Sequence, residues 1–133
     1  MILQDNIKVT LTQESKLSAV DWNNLPFGRV FSDHMLIMDY KDGAWQDPQI
    51  MPFGPISMHP ATSVIHYGQS IFEGLKAYRA ADNEILVFRP TKNAERLNRS
   101  AERMAMPPVP KEMFVKAVEA CVRANASFVP PAG

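Results

Sequence analysis

The sequence predicts an α+β domain in which two helices pack on an antiparallel β-sheet. Hydrophobic residues make up 46% of the 133 residues and charged residues 21%, which is the balance of a chain that folds around a core. A turn dipeptide, Asp42-Gly43, follows the apolar run HMLIMDY. Two stretches late in the chain repeat apolar residues with a helical period. Strands followed by helices are typical of the α+β class.

Residues 1–24 are predicted to form an arm with one short strand, because Ile7, Val9 and Leu11 alternate weakly before the polar run TQESK. The rest of the chain, residues 25–133, is predicted to be one domain, since a chain of 133 residues is long enough for one core and too short for two.

The first strong strand signal is HMLIMDY at residues 34–40. Asp42-Gly43 between this run and AWQ predicts a two-residue hairpin of the primed type, because glycine tolerates a positive φ. Four prolines follow, and we expect them to allow only short or edge strands: Pro48, Pro52, Pro55 and Pro60.

Two further strands are predicted at Gly74–Arg79 and Glu84–Phe88. The residues between them include Asp82 and Asn83, which adopt left-handed turn conformations at low cost. The two strands should therefore pair as an antiparallel meander.

Two helices complete the domain. The first is predicted over residues 93–105, with Asn93 as its N-cap and Met106-Pro107-Pro108 as its end. The second begins near Pro110, a favoured first-turn proline, and ends at Asn125. Each carries an apolar stripe at helical spacing.

Composition excludes several classes of function. Fourteen basic residues balance fourteen acidic ones, so no overall positive field attracts nucleic acid or anionic lipid. No apolar run is long enough to span a membrane, and no signal peptide is recognisable at the start. A single cysteine, Cys121, fits a reducing compartment. We therefore expect a cytoplasmic protein without a nucleic-acid or membrane partner.

Common catalytic motifs are also missing from the sequence, among them the P-loop, the dinucleotide-binding glycine motif and H-E-x-x-H. The three histidines, His34, His59 and His66, lack cysteine or carboxylate neighbours at metal-ligand spacing. We interpret them as hydrogen-bonded structural residues rather than as a metal site.

Two local patterns could carry chemistry. Arg96, Arg99 and Arg103 share one face of the predicted helix, and this face is either solvated or, at Arg96 in the first turn, a site for phosphate. Tyr67 and Phe72 lie in the segment HYGQSIFEG. They either pack in the core or supply a hydroxyl and an apolar wall to a pocket.

Three segments resemble, in order along the chain, the branched-chain amino acid aminotransferases, which are pyridoxal 5′-phosphate (PLP) enzymes of fold type IV. They are FGRVFSDHM at residues 27–35, MHPATSVIHYGQSIFEGLKAYR at 58–79 and ILVFRPTKNAERLNRSAERMAMP at 85–107. The D-amino acid aminotransferases and aminodeoxychorismate lyases share a looser version of this pattern. The HYGxxxFEG and FGRVFSDHM forms favour the branched-chain group.

The resemblance implies specific roles. Arg96 would bind the PLP phosphate, and Phe72 and Phe27 would line an apolar pocket for the side chains of Leu, Ile or Val. Tyr67 would reach into the active site of the partner subunit of a homodimer. The reaction implied is transfer of the amino group to 2-oxoglutarate.

In that family, the lysine that forms the Schiff base lies in a larger C-terminal domain, and no lysine of this chain matches it. We therefore expect residues 25–133 to be the small N-terminal domain of such an enzyme, inactive by itself. The alternative is a noncatalytic module for folding or dimerisation. In either case apolar surface should be exposed on this chain.

Overall fold

The computed structural model describes residues 7–132. Short strands dominate the first part of the chain, and two long helices follow. Two 3-10 turns, Leu17–Ala19 and Ala126–Phe128, lie outside the main elements. The strands and helices are β1 (Lys8–Val9), β2 (His34–Ile37), β3 (Tyr40–Lys41), β4 (Ala44–Trp45), β5 (Gln49–Pro52), α1 (Ser63–Tyr67), β6 (Ala77–Arg79), β7 (Ile85–Val87), α2 (Pro90–Arg103) and α3 (Lys111–Ala124).

The α+β class is confirmed, but the expected single antiparallel sheet is not observed. In the described part of the chain the strands form three small sheets, with orders β1-β5-β2, β3-β4 and β6-β7. One pairing, β1 with β5, is parallel. Strands of only two to four residues separated by prolines and tight turns do not extend into one another.

Residues 1–6 of the predicted arm lie outside the described residues. The rest of it, residues 7–24, contains the short strand β1, whose partner is unexpected. Lys8 pairs with Gln49 and Val9 with Ile50, while β2 pairs on the other side of β5. The proline-rich segment therefore supplies a short strand, as predicted, and this strand lies at the centre of the three-stranded sheet. Pro48 precedes β5 and Pro52 is its last residue, so the intervening amides remain free to join the ladder.

Both predicted hairpins form. Lys41 pairs with Ala44 across Asp42-Gly43, whose φ angles of 53° and 80° are those of a primed turn. Strands β6 and β7 pair antiparallel, although both are shorter than predicted. Asn83 adopts a positive φ of 69° in the turn between them, as expected for this residue type.

The helix α2 begins three residues before its predicted start. Arg89 is the N-cap with φ 47°, and Pro90 occupies the first helical position, which its fixed φ favours. The prediction that Asn93 caps this helix is therefore wrong. Arg96 lies in the second turn and not in the first, so the helix N-terminus does not explain an anion site there.

The helix α3 follows Pro110 and ends at Asn125, as predicted, whereas the short helix α1 was not anticipated. Helix α3 packs on β2 and β5, and α2 packs on α3. The buried apolar residues include Pro48, just before β5, together with Ile50, Ala94, Ala101, Ala117 and Val129.

A buried polar cluster joins the end of α3 to β2. Asn125 Oδ1 accepts from the backbone N–H of His34 at 3.0 Å, and its Nδ2 donates to the carbonyl oxygens of His34 at 3.1 Å and Cys121 at 2.9 Å. The His34 ring in turn accepts from the backbone N–H of Thr12 through Nε2 at 3.0 Å. The strand, the helix and the arm are thereby held together.

The interpretation of the histidines as hydrogen-bonded residues is confirmed, because each ring contacts a backbone group: His34 with Thr12, His59 with Ala61 and His66 with Pro60. No three metal-ligating side chains cluster within residues 7–132. None of the helices in that range has the length and apolar character needed to cross a bilayer.

Candidate functional site

The segment 69–74 runs along helix α2 and is tied to it near both ends. Gln69 Nε2 donates to the carbonyl oxygen of Met104, just beyond the C-terminal end of α2, at 2.9 Å. Asn93 Nδ2, in the first turn of α2, donates to the carbonyl oxygen of Gly74 at 3.0 Å. These contacts place the FEG residues beside the first half of the helix.

The chain enters this segment through α1. Tyr67 is the last residue of that helix, and Gly68 caps it with φ 61°, a left-handed conformation in which a side chain is strained. The His66 ring contacts the Pro60 carbonyl at 2.6 Å. The turn that carries Tyr67 is therefore fixed by the His66 contact before it and by the Gly68 cap after it.

A bidentate ion pair between Glu73 and Arg96 is the centre of the site. Arg96 Nε donates to Glu73 Oε2 at 2.8 Å, and Arg96 Nη2 donates to Glu73 Oε1. Asn93 Nδ2 donates to the same Oε1 at 2.9 Å. The Glu73 side chain is only 5% exposed, whereas that of Arg96 is 60% exposed, so the carboxylate is enclosed and the guanidinium faces solvent.

The electrostatics follow from these contacts. The hydrogen bonds from Arg96, with a smaller contribution from Asn93, lower the pKa of Glu73 from 4.5 to about 2 against the opposing effect of burial. The same pair raises the pKa of Arg96 above its usual value. Both groups are therefore charged at neutral pH.

The hydrogen-bonding capacity of Arg96 is only partly used by Glu73. A guanidinium carries five N–H donors in a planar fork, and the carboxylate occupies the edge formed by Nε and Nη2. Among residues 7–132, no acceptor pairs with the other edge, formed by Nη1 and the second Nη2 hydrogen, so this edge can receive one. Such an edge suits the paired oxygens of a phosphate, so the residues present fit a phosphate-bearing cofactor.

The three aromatic candidates are exposed rather than buried. Phe27 is fully exposed, and Tyr67 and Phe72 are each 86% exposed. The interpretation of Tyr67 and Phe72 as core residues is therefore wrong. The expected exposure of apolar surface on this chain is confirmed.

The structure does not gather the candidate residues into one pocket. The main grooves of the described residues lie elsewhere, one of about 490 Å³ between the arm and α3 and one of about 600 Å³ beside the α2–α3 loop. Neither is lined by Phe27, Tyr67, Phe72 or Arg96. Within residues 7–132, only Phe72 and Arg96 are linked, through Glu73.

Phe27 is placed by a turn that leads into β2. Gly28 has φ 70°, and Arg29 N–H donates to the Pro26 carbonyl at 3.2 Å. Further along, the rings of Phe31 and Phe53 stack with centroids 4.7 Å apart. The FGRVF segment is thus anchored to Phe53, the residue that follows β5, while the Phe27 ring itself remains exposed.

Glu73 and the actual role of Asn93 were missed by sequence reasoning. A helix predicted to begin at Pro90 would have revealed them. Asn93 then lies inside the helix instead of capping it, and Asn93 and Arg96, three residues apart, share one helical face. An acidic residue in the otherwise apolar stretch IFEG is a natural partner for a donor pair on that face.

Comparison with protein-family models gave no match, whereas curated proteins gave several. The chain is 46% identical over 130 residues to branched-chain-amino-acid aminotransferase 2 of Bacillus subtilis, covering 97% of the chain and 36% of the relative. It is 48% identical over 111 residues to the branched-chain-amino-acid aminotransferase of Mycolicibacterium smegmatis, covering 83% of the chain and 30% of the relative. It is 44% identical over 130 residues to branched-chain-amino-acid aminotransferase 5, chloroplastic, of Arabidopsis thaliana, covering 97% and 31%.

The chain thus spans about a third of the length of the relatives that it matches. The agreement extends through the arm as well as through the three segments that carry the resemblance. By its sequence, the chain belongs to the branched-chain-amino-acid aminotransferase family.

Proposed function

We propose that residues 25–133, preceded by the arm of residues 1–24, are the small N-terminal domain of a PLP-dependent branched-chain aminotransferase of fold type IV. The enzyme transfers the amino group of Leu, Ile or Val to 2-oxoglutarate. Identity of 44 to 48% to aminotransferases of this name supports the proposal. The observation that carries it is the oriented, half-free guanidinium of Arg96.

In this proposal Arg96 holds the phosphate group of the cofactor. Glu73 orients the guanidinium from one edge, and the open edge offers parallel N–H donors to two phosphate oxygens. The bound cofactor supplies the electron sink for the reaction. Arg96 contributes anchoring and charge neutralisation rather than proton transfer.

Phe27 and Phe72 serve as the apolar walls of the substrate pocket. Both rings are exposed here, and covering an exposed phenylalanine is worth about 2 kcal/mol. Apolar walls suit branched aliphatic side chains, for which one methylene is worth about 1–3 kcal/mol of discrimination. Tyr67, equally exposed on α1, reaches the active site of the partner subunit in a cytoplasmic homodimer.

The lysine that binds the cofactor covalently lies outside the 133 residues. We therefore expect the isolated chain, mixed with PLP, to retain no cofactor absorbance after dialysis and to show no transamination of leucine. Measurable turnover by the isolated chain would contradict this part of the proposal.

The phosphate role is tested by Arg96→Ala in the full-length protein that contains this chain. The dissociation constant for PLP should rise at least about tenfold, since bidentate charge-assisted bonds are lost. Arg99→Ala is the matched control, because Arg99 lies three residues along the same helix and is also exposed. Equal PLP retention by Arg96→Ala and the control would refute the assignment.

A second function is favoured for the isolated chain by one observation. The rings of Phe27, Tyr67 and Phe72 are each exposed, and exposed apolar side chains favour association. On this alternative, the isolated 133-residue chain acts as a noncatalytic module for folding or dimerisation. Concentration-dependent self-association without PLP binding is the result that this alternative predicts.

A further inference from the structure

The ion pair that fixes Arg96 also fixes the backbone that carries Phe72. Glu73 directly follows Phe72 in the chain, and its buried carboxylate accepts hydrogen bonds from both Arg96 and Asn93. Asn93 also holds the Gly74 carbonyl. One acidic side chain therefore connects helix α2 to the segment that presents the Phe72 ring.

We infer that Glu73 is a positioning residue that holds the Arg96 guanidinium with its Nη1–Nη2 edge open toward the cofactor phosphate, and at the same time holds the Phe72 wall in place. The inference rests on the proposed function, because it assumes that Arg96 binds a phosphate. It adds a residue that touches neither cofactor nor substrate and acts through two residues that do.

The geometry explains why a glutamate is suited to this role. Its two oxygens match the Nε and Nη2 donors of the guanidinium, so rotation about the last bonds of the arginine side chain is restricted. A glutamine at this place offers one acceptor oxygen, and its amide group opposes the second arginine donor. The fork would then be held by one bond instead of two.

The charge of Glu73 acts in the opposite direction to its positioning effect. A carboxylate beside Arg96 repels a phosphate dianion, so removal of this charge by itself strengthens phosphate binding. Weaker PLP binding by Glu73→Gln therefore arises only from lost orientation. The sign of the change in affinity separates the two effects.

The experiment measures the dissociation constant for PLP and the ³¹P resonance of bound PLP in the full-length protein. For Glu73→Gln we expect about tenfold weaker binding and a ³¹P resonance displaced toward that of free PLP. Glu73→Asp should recover part of both effects. The matched control is Glu95→Gln, which removes a half-buried carboxylate one residue before Arg96 that pairs with Lys92 and Lys111 instead.

A double-mutant cycle tests whether Glu73 acts through Arg96. In the Arg96→Ala background, Glu73→Gln should no longer weaken PLP binding, because no guanidinium is left to orient and only the loss of the repelling carboxylate remains. Independent roles would instead give additive losses. The KM for leucine tests the second part of the inference, that Glu73 holds Phe72 in place. This KM should rise in Glu73→Gln even at saturating PLP.

The possible outcomes are distinct. If Arg96→Ala weakens PLP binding and Glu73→Gln behaves like Glu95→Gln, or binds PLP more tightly, the inference about Glu73 is overturned and the proposed function stands. If Arg96→Ala retains PLP normally, the proposed phosphate site itself fails. If Glu73→Gln does not fold, Asn93→Ala is measured instead, because it removes a hydrogen-bond donor to Glu73 and leaves the carboxylate in place. Unchanged PLP affinity and an unchanged KM for leucine in Asn93→Ala would overturn the inference.

Discussion

The substitution Asn125→Ala should destabilise this fold more than its small change in volume suggests. Asn125 is buried at the end of α3, and its side chain satisfies both backbone groups of His34 and the carbonyl of Cys121. Alanine provides none of these bonds. The buried His34 N–H would then lose its Asn125 acceptor, and the His34 C=O would keep the Ser32 hydroxyl, at 3.3 Å, as a donor.

The magnitude follows from the hydrogen bonds. The three bonds of Asn125 measure 2.9 to 3.1 Å, and each contributes about 1 kcal/mol net, with more lost where a buried partner is left unsatisfied. The free energy of unfolding of the 133-residue chain should therefore fall by about 3 kcal/mol. That is a large share of the stability of an ordinary domain.

Urea unfolding followed by circular dichroism measures this change, with the slope against denaturant as a check that the unfolding transition is the same. Asn24→Ala is the control, because Asn24 is exposed and its removal should cost less than about 0.5 kcal/mol. A loss below about 1 kcal/mol for Asn125→Ala, with an unchanged slope, would refute the account of this cluster as a junction.

Three other predictions concern the site and the hairpin. The pKa of Glu73 is about 2 instead of 4.5, so its pairing stabilises the fold above pH 4.5 and this stabilisation is lost as the pH falls toward 2. Solvent screening at the exposed Arg96 limits the effect to about 1–2 kcal/mol. In Glu73→Gln, the free energy of unfolding should vary less with pH over that range. Gly43→Ala should lower the free energy of unfolding, followed by thermal denaturation, by about 1 kcal/mol, because φ is 80° there. A Cβ would meet no atom within 4 Å, so no steric clash adds to this cost. An unchanged stability would show that the turn relaxes. Trp45→Phe should cost about 1 kcal/mol by removing the 2.8 Å bond from Nε1 to the Pro108 carbonyl, and an unchanged melting temperature would mean that this bond adds nothing.

Local signals predicted the parts of the fold that depend on neighbouring residues. The Asp42-Gly43 hairpin forms because both residues accept positive φ. Helix α3 forms where Pro110 and an apolar stripe predict it. These elements need no information about distant parts of the chain.

The parts of the fold that the sequence could not predict depend on distant pairing or on an unusual backbone. Strand β5 is central only because β1 of the arm pairs with it, and no local pattern in residues 49–52 predicts this pairing. The early start of α2 requires Arg89 in a left-handed conformation, which residue propensities disfavour for arginine.

The candidate site was predictable in part. Arg96, Phe27, Tyr67 and Phe72 came from the resemblance to a family, whereas their exposure and the partner of Arg96 came from the structure. Glu73 escaped prediction because its pairing joins two segments that are separated by the β6–β7 hairpin.

The central claim is that this chain is part of an enzyme that transfers amino groups from branched-chain amino acids. The most direct measurement is the transamination rate of the full-length protein containing it, with PLP, 2-oxoglutarate and either Leu, Ile or Val as donor. The account predicts turnover with these donors and its loss in Arg96→Ala at limiting PLP. A folded, PLP-bound protein that turns over a D-amino acid and none of the three donors would contradict it.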